Sequence, residues 1–105
     1  MEEDWSHEEE EAARAAFTLA YERDLADLTR SVQELSNSIV TLDQIWGLHD
    51  YLSTRRYEFD GKYDFNTSAL LFTFAGMVKD GLLQISDLEG LNIKKLAKIT
   101  ALSRM

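Results

Sequence analysis

The dominant pattern in the chain is an apolar repeat whose steps alternate between four and three residues: Tyr21, Leu25, Leu28, Val32, Leu35, Ile39, Leu42, Trp46. This is the heptad rhythm of a helix packed along its length against another. One thin helix cannot bury such a seam. Each large apolar side chain gains about 1.5–3 kcal/mol when fully buried, so eight of them drive pairing, and a second copy of the chain is the expected mate. Upstream, Ser6-His7-Glu8-Glu9 reads as a capping box, with four consecutive glutamates near the positive end of the helix dipole.

Ser36-Asn37-Ser38 and the cap pattern Thr41-Leu42-Asp43-Gln44 mark where this long helix bends or divides. A second helical stretch then runs to about Asp60, with Gly61 as a left-handed stop and a turn over 62–66. Beyond it, the stretch from Ala69 to Val78 is apolar nearly all round, which predicts a helix in the middle of a core, closed by Gly81. Ser86-Asp87-Leu88-Glu89 and Asn92 each resemble N-caps, predicting a short helical turn and a final helix to about Arg104. No period-two alternation supports a strand. The expected architecture is all-α and dimeric: a helical stalk and dimerisation region over 1–61, formed by one long helix or two consecutive ones, and a small C-terminal helical head over 62–105.

Proline is absent from the 105 residues and glycine occurs five times, so helices meet few breakers. There is no cysteine, which removes disulfides, thiolate metal sites and thiol nucleophiles. The start of the chain lacks the basic and apolar regions of a secretory signal, and no apolar run approaches the ~18 residues of a membrane span. A cytoplasmic location is therefore expected. The net charge of -8 argues against nucleic acid as a partner, since phosphates are neutralised by a basic surface. Charge is also unevenly distributed. Residues 1–50 carry 13 acidic and 3 basic side chains, whereas residues 51–105 carry 6 acidic and 8 basic. The two halves should face different surroundings.

The stretch from Leu42 to Asp60 is the most informative. At about 100° per residue, Ile45, Leu48, Leu52 and Phe59 form a core stripe, while Asp43, Gln44, Tyr51, Thr54 and Glu58 fall on a solvated side. Between them lies an arc carrying Trp46, His49, Asp50, Ser53, Arg56, Tyr57 and Asp60. Trp, Tyr and Arg are the types enriched at binding hot spots. A plainer alternative has Trp46 filling a core position while His49 and Asp50 satisfy local hydrogen bonds. Catalysis is not expected. Neighbouring His49 and Asp50 should diverge on a helix, and Asp50 and Asp60 lie roughly 15 Å apart along the axis. No nucleophile–base, phosphate-loop or zinc spacing occurs. The His7/Glu11 spacing permits a metal but lies at an acidic helix end. Neither metal nor cofactor is expected.

The string from Trp46 to Arg56 (Trp-Gly-Leu-His-Asp-Tyr-Leu-Ser-Thr-Arg-Arg), followed by Asp60-Gly61-Lys62-Tyr63-Asp64, closely resembles the signature of the cyanobacterial fluorescence recovery protein family. The resemblance extends to Trp5-Ser6, Tyr21-Glu22-Arg23, Leu71–Phe74 and the C-terminal Lys98-Ile99-x-Ala101-Leu102. It implies a homodimeric helical protein whose partner is the orange carotenoid protein, engaged mainly through that protein's C-terminal domain. Such a protein binds the red, active form, speeds its return to orange and promotes its release from the phycobilisome. Quenching then ends and antenna fluorescence returns. The implied setting is the cytoplasmic face of the thylakoid membrane, reached through the phycobilisome-bound partner. The resemblance transfers the partner-binding role to Trp46, His49, Asp50 and Arg56, and in the head to Phe72 and Lys98. Two departures stand out: family members tend to carry a basic residue at Gly47 and a histidine at Tyr57. A mid-helix glycine costs roughly 1 kcal/mol relative to alanine, so the helix is expected to be looser beside Trp46. A helical assembly adaptor with no effect on the carotenoid protein is the alternative reading.

Overall fold

The structure, a computed structural model, describes residues 4–105. It is all-helical: α1 spans His7–Asn37, α2 Leu42–Lys62, α3 Leu70–Lys79 and α4 Ile93–Ser103, with a short 3-10 turn at Ile85–Leu88. No strand occurs among the described residues. Two compact units form, one from the chain up to Glu22 together with Phe65–Met105, the other from Arg23–Asp64. The first turns of α1 pack with the C-terminal helices.

The reason is a stripe of small residues. Ala13, Ala16 and Ala20, spaced three and four apart on one helical face, are completely or almost completely buried. Their size lets backbone approach closely. Gly90, at φ 106°, lies so near that a Cβ there would stand 2.9 Å from the Ala12 Cβ. The rest of this core comes from Leu70, Phe74 and Met77 of α3, Leu83, Leu88 and Leu91 of the following segment, and Ile99 of α4. The α3 helix is not central, as its apolar sequence suggested. It buries one side, while Phe72 and Gly76 remain exposed on the other. It ends as expected at Gly81, φ 80°, where the Leu82 N–H donates to the Met77 carbonyl at 2.9 Å.

A half-buried carboxylate, paired with the buried Lys95, fastens this unit. Glu9 accepts from Ser6 N–H at 3.2 Å, from Asn92 N–H at 2.9 Å and from Lys95 Nζ at 2.9 Å. Lys95 also donates to the Asp4 carbonyl and sits 4.6 Å from the centre of the Trp5 ring. Burial opposes ionisation of Glu9. The bonds from Asn92, Lys95 and Ser6 outweigh it and pull its pKa from 4.5 down to about 2. The capping box anticipated at Ser6 is present, but Glu9 does far more than cap.

In the second unit the chain reverses. Ser36 Oγ and Ser38 Oγ donate to the Gln33 and Glu34 carbonyls as α1 ends. Gln44 Oε1 then accepts from both Val40 and Thr41 N–H, while Thr41 Oγ1 accepts from Gln44 N–H. The seam is thus shared between two antiparallel arms and does not run along one rod. The α2 helix passes through Gly61, the expected stop, and is capped at Tyr63, whose hydroxyl donates to Asp24 Oδ2 at 2.8 Å. Likewise the 3-10 turn begins one residue before Ser86, because the Asp87 carboxylate reaches back to Gln84 N–H at 2.9 Å. The Asn92 cap forms as anticipated, accepting from Lys94 N–H at 2.7 Å.

Candidate functional site

Over its 21 residues α2 buries none. Its inner side is only half-covered, through Leu48, Tyr51, Arg55, Phe59 and Lys62. What holds it to α1 is a charge cluster that the sequence did not announce. Asp24, 4% exposed, takes hydrogen bonds from Arg55 Nη2 at 2.9 Å, Lys62 Nζ at 3.0 Å and the Tyr63 hydroxyl. Burial works against its charge, but these partners prevail and hold its pKa below the usual carboxylate range. Burial likewise opposes the Arg55 charge, and Asp24 and Glu58 more than offset it.

With α2 fixed by that cluster, its other side is presented outward. Trp46 is 57% exposed and Tyr57 83% exposed. His49 Nδ1 lies 3.3 Å from Asp50 Oδ1, and Arg56 Nε lies 3.9 Å from Asp60 Oδ2. All four of these side chains stand open to solvent, so the two contacts contribute little to stability. Their side chains remain available to another surface. The neighbouring arginines show how finely the helix sorts its positions: Arg55 turns inward to Asp24, while Arg56 is 85% exposed. The expected divergence of His49 and Asp50 does not hold strictly, since the two touch. No metal-binding cluster occurs among the described residues.

At the closed end of the hairpin, Leu35, Ile39, Gly47, Leu48 and Tyr51 line an apolar groove of about 340 Å³. Seam residues Tyr21, Leu25, Leu35, Leu42 and Trp46 are all exposed. The other two sequence candidates, Phe72 and Lys98, belong to the first unit, where they share the wall of a second groove. The six residues therefore form two groups, four on α2 and two on the α3–α4 pair.

Comparison with known proteins places the chain in a family and matches its fold to solved structures. The model of a family described as the photoprotection regulator fluorescence recovery protein matches residues 5–103. The fluorescence recovery protein of Synechocystis sp. (strain ATCC 27184 / PCC 6803 / Kazusa) is 44% identical over 101 residues, covering 96% of this chain and 93% of that one. The solved structure of the Fremyella diplosiphon fluorescence recovery protein superposes with a TM-score of 0.93 at 48% identity. It covers 97% of this chain and all of that chain. The Synechocystis structure gives 0.92 at 43% identity with the same coverage.

Proposed function

Since this chain belongs to the photoprotection regulator family of the fluorescence recovery proteins, we propose that it binds the red, active form of the orange carotenoid protein and accelerates its reversion to orange. In doing so it promotes release from the phycobilisome and restores antenna fluorescence, as a regulator and not as an enzyme. The observation that carries this reading is an aromatic–arginine face on a helix that buries nothing of its own.

Binding the red form alone would stabilise it and slow reversion. Acceleration demands tighter contact with the transition state, in which the two carotenoid-binding domains have come back together. The chain would hold the C-terminal domain of the carotenoid protein and guide its other domain back. Trp46 and Arg56 serve as anchors, while Asp50 and His49 orient through charge-assisted hydrogen bonds. The working form is a homodimer, because the exposed seam and the apolar groove at the hairpin end need a mate that a single subunit does not supply. No helix among the described residues is long and apolar enough to cross a membrane. Its place at the thylakoid surface would come through the phycobilisome-bound partner.

Dark relaxation of the red carotenoid protein tests the reading. The unsubstituted chain should raise the rate, and Trp46→Ala or Arg56→Ala should lower that effect with helix content retained. A helical adaptor, which the exposed seam also fits, would leave the rate alone. Equal rates with and without the chain would refute the regulator.

A further inference from the structure

Asp24 lies on α1, away from the outward arc of α2, and nothing in the proposed mechanism uses it. It is nonetheless buried, and both of its oxygens are engaged by the far arm. Oδ1 accepts from Arg55 Nη2 at 2.9 Å, and Oδ2 accepts from Lys62 Nζ at 3.0 Å and from the Tyr63 hydroxyl at 2.8 Å. Arg55 is fixed further, by Glu58 Oε2 at 2.8 Å and by the Phe59 ring, whose centre lies 5.3 Å from its guanidinium carbon. Fastening two arms together needs only one such contact. Arg55 and Lys62 stand about two turns apart on one face of α2. Anchoring at both points sets the roll of the helix about its axis as well as its distance.

Roll is what apolar packing leaves poorly specified here. Leu48, Tyr51 and Phe59 are half-covered, and no side chain of α2 is buried. The sequence also offers a rival setting, because Arg55 and Arg56 are adjacent and chemically alike. A roll of about 100° exchanges them, and for a helix about 10–12 Å across it moves the outer ends of the side chains by roughly 8 Å. Arg55 follows Trp46 by about two and a half turns, which puts the two on opposite sides of the helix. With Arg55 turned inward to Asp24, Trp46 points outward.

We propose that Asp24 is a positioning residue for partner recognition: acting through Arg55, it selects the roll of α2 in which Trp46 and Arg56 face out. This rests on the function proposed above and adds a residue that itself touches no partner. Without the carboxylate, α2 spends part of its time in other rolls, and affinity for the partner falls by the fraction of chains correctly turned. The partner still selects the correct roll once bound, so the maximal effect survives.

The dark relaxation rate of the red carotenoid protein, followed against the concentration of the full-length chain well below its melting temperature, separates these two quantities. Asp24→Asn and Arg55→Met should each raise the half-saturating concentration about tenfold, as when roughly one chain in ten is correctly turned. The rate at saturation should stay near the parent's. Arg55→Lys, which keeps a cation against Asp24, should lie close to the parent. Because Asp24 acts through Arg55, the double variant should be no weaker than the weaker single one. Gly90→Ala, which lowers stability in the other unit, controls for stability alone and should leave the curve unchanged. A half-saturating concentration for Asp24→Asn equal to the parent's would overturn the positioning role. Multiplied losses in the double variant, or an equal loss in Gly90→Ala, would overturn it too. A parent that fails to accelerate relaxation would instead sink the function itself.

Discussion

Replacing Asp24 by asparagine removes one negative charge from the point where the two arms of the hairpin meet. The parent carboxylate is opposed by Arg55 and Lys62, whose side chains are 19% and 24% exposed. Breaking a fully buried pair costs about 3–5 kcal/mol, because an uncompensated charge is left behind. Here both cations retain partial access to water, and an asparagine oxygen still accepts from one or two donors. The expected loss is therefore about 2 kcal/mol, or roughly 10 °C in melting temperature for a chain of this size. The weakness of apolar burial along α2 makes this loss decisive for the hairpin. Thermal unfolding followed by circular dichroism, at fixed protein concentration since association raises apparent stability, measures it. The pH dependence has a definite sign. The folded pKa of Asp24 lies below its ordinary value of 3.8, so its contribution is complete above the unfolded value and is lost as pH falls through the folded one. The gap between parent and Asp24→Asn should thus be widest at neutral pH and narrow below about pH 4. A variant that melts within a degree or two of the parent at pH 7 would refute the reasoning. A gap indifferent to acid would do the same.

Further outcomes follow from the same structure. Glu9→Gln strands Lys95 and should cost about 3 kcal/mol near neutrality; with a folded pKa of about 2 against 4.5, that contribution fades between these values as pH falls, as acid titration of urea midpoints would show. Gly90→Ala should destabilise by about 1–3 kcal/mol, because φ 106° and the close Ala12 Cβ both oppose a side chain. In contrast, Gly76→Ala, in an open position of α3, should stabilise by about 0.5–1 kcal/mol; comparable denaturation midpoints for the two alanine variants would contradict this. Leu35→Glu on the exposed seam should halve the mass measured by light scattering with helix content preserved, and an unchanged mass would remove the seam from the dimer.

The sequence by itself determined most of the helical layout. The caps at Ser6, Thr41 and Asn92 and the left-handed Gly81 lie within a few residues of the groups they satisfy, so no knowledge of tertiary structure is needed to find them. The outward arc of α2 was legible for the same reason, since helical periodicity places Trp46, His49, Arg56 and Asp60 on one side. Tertiary structure alone decided what fills the other side. Asp24 meets partners 31 to 39 residues away, and Glu9 meets Asn92 and Lys95 across 83 and 86. An acidic residue bound for burial looks, in a helical sequence, like any solvated one. The membership of Ala13, Ala16 and Ala20 in the C-terminal core was equally hidden, because small side chains leave almost no apolar signal and matter only when another backbone comes close. Gly61 shows the converse: a local stop signal overridden by Tyr63, Lys62 and Arg55 anchoring on a distant carboxylate. Local hydrogen bonding writes itself into short-range sequence, whereas burial of charge and of small residues is defined only once remote segments meet.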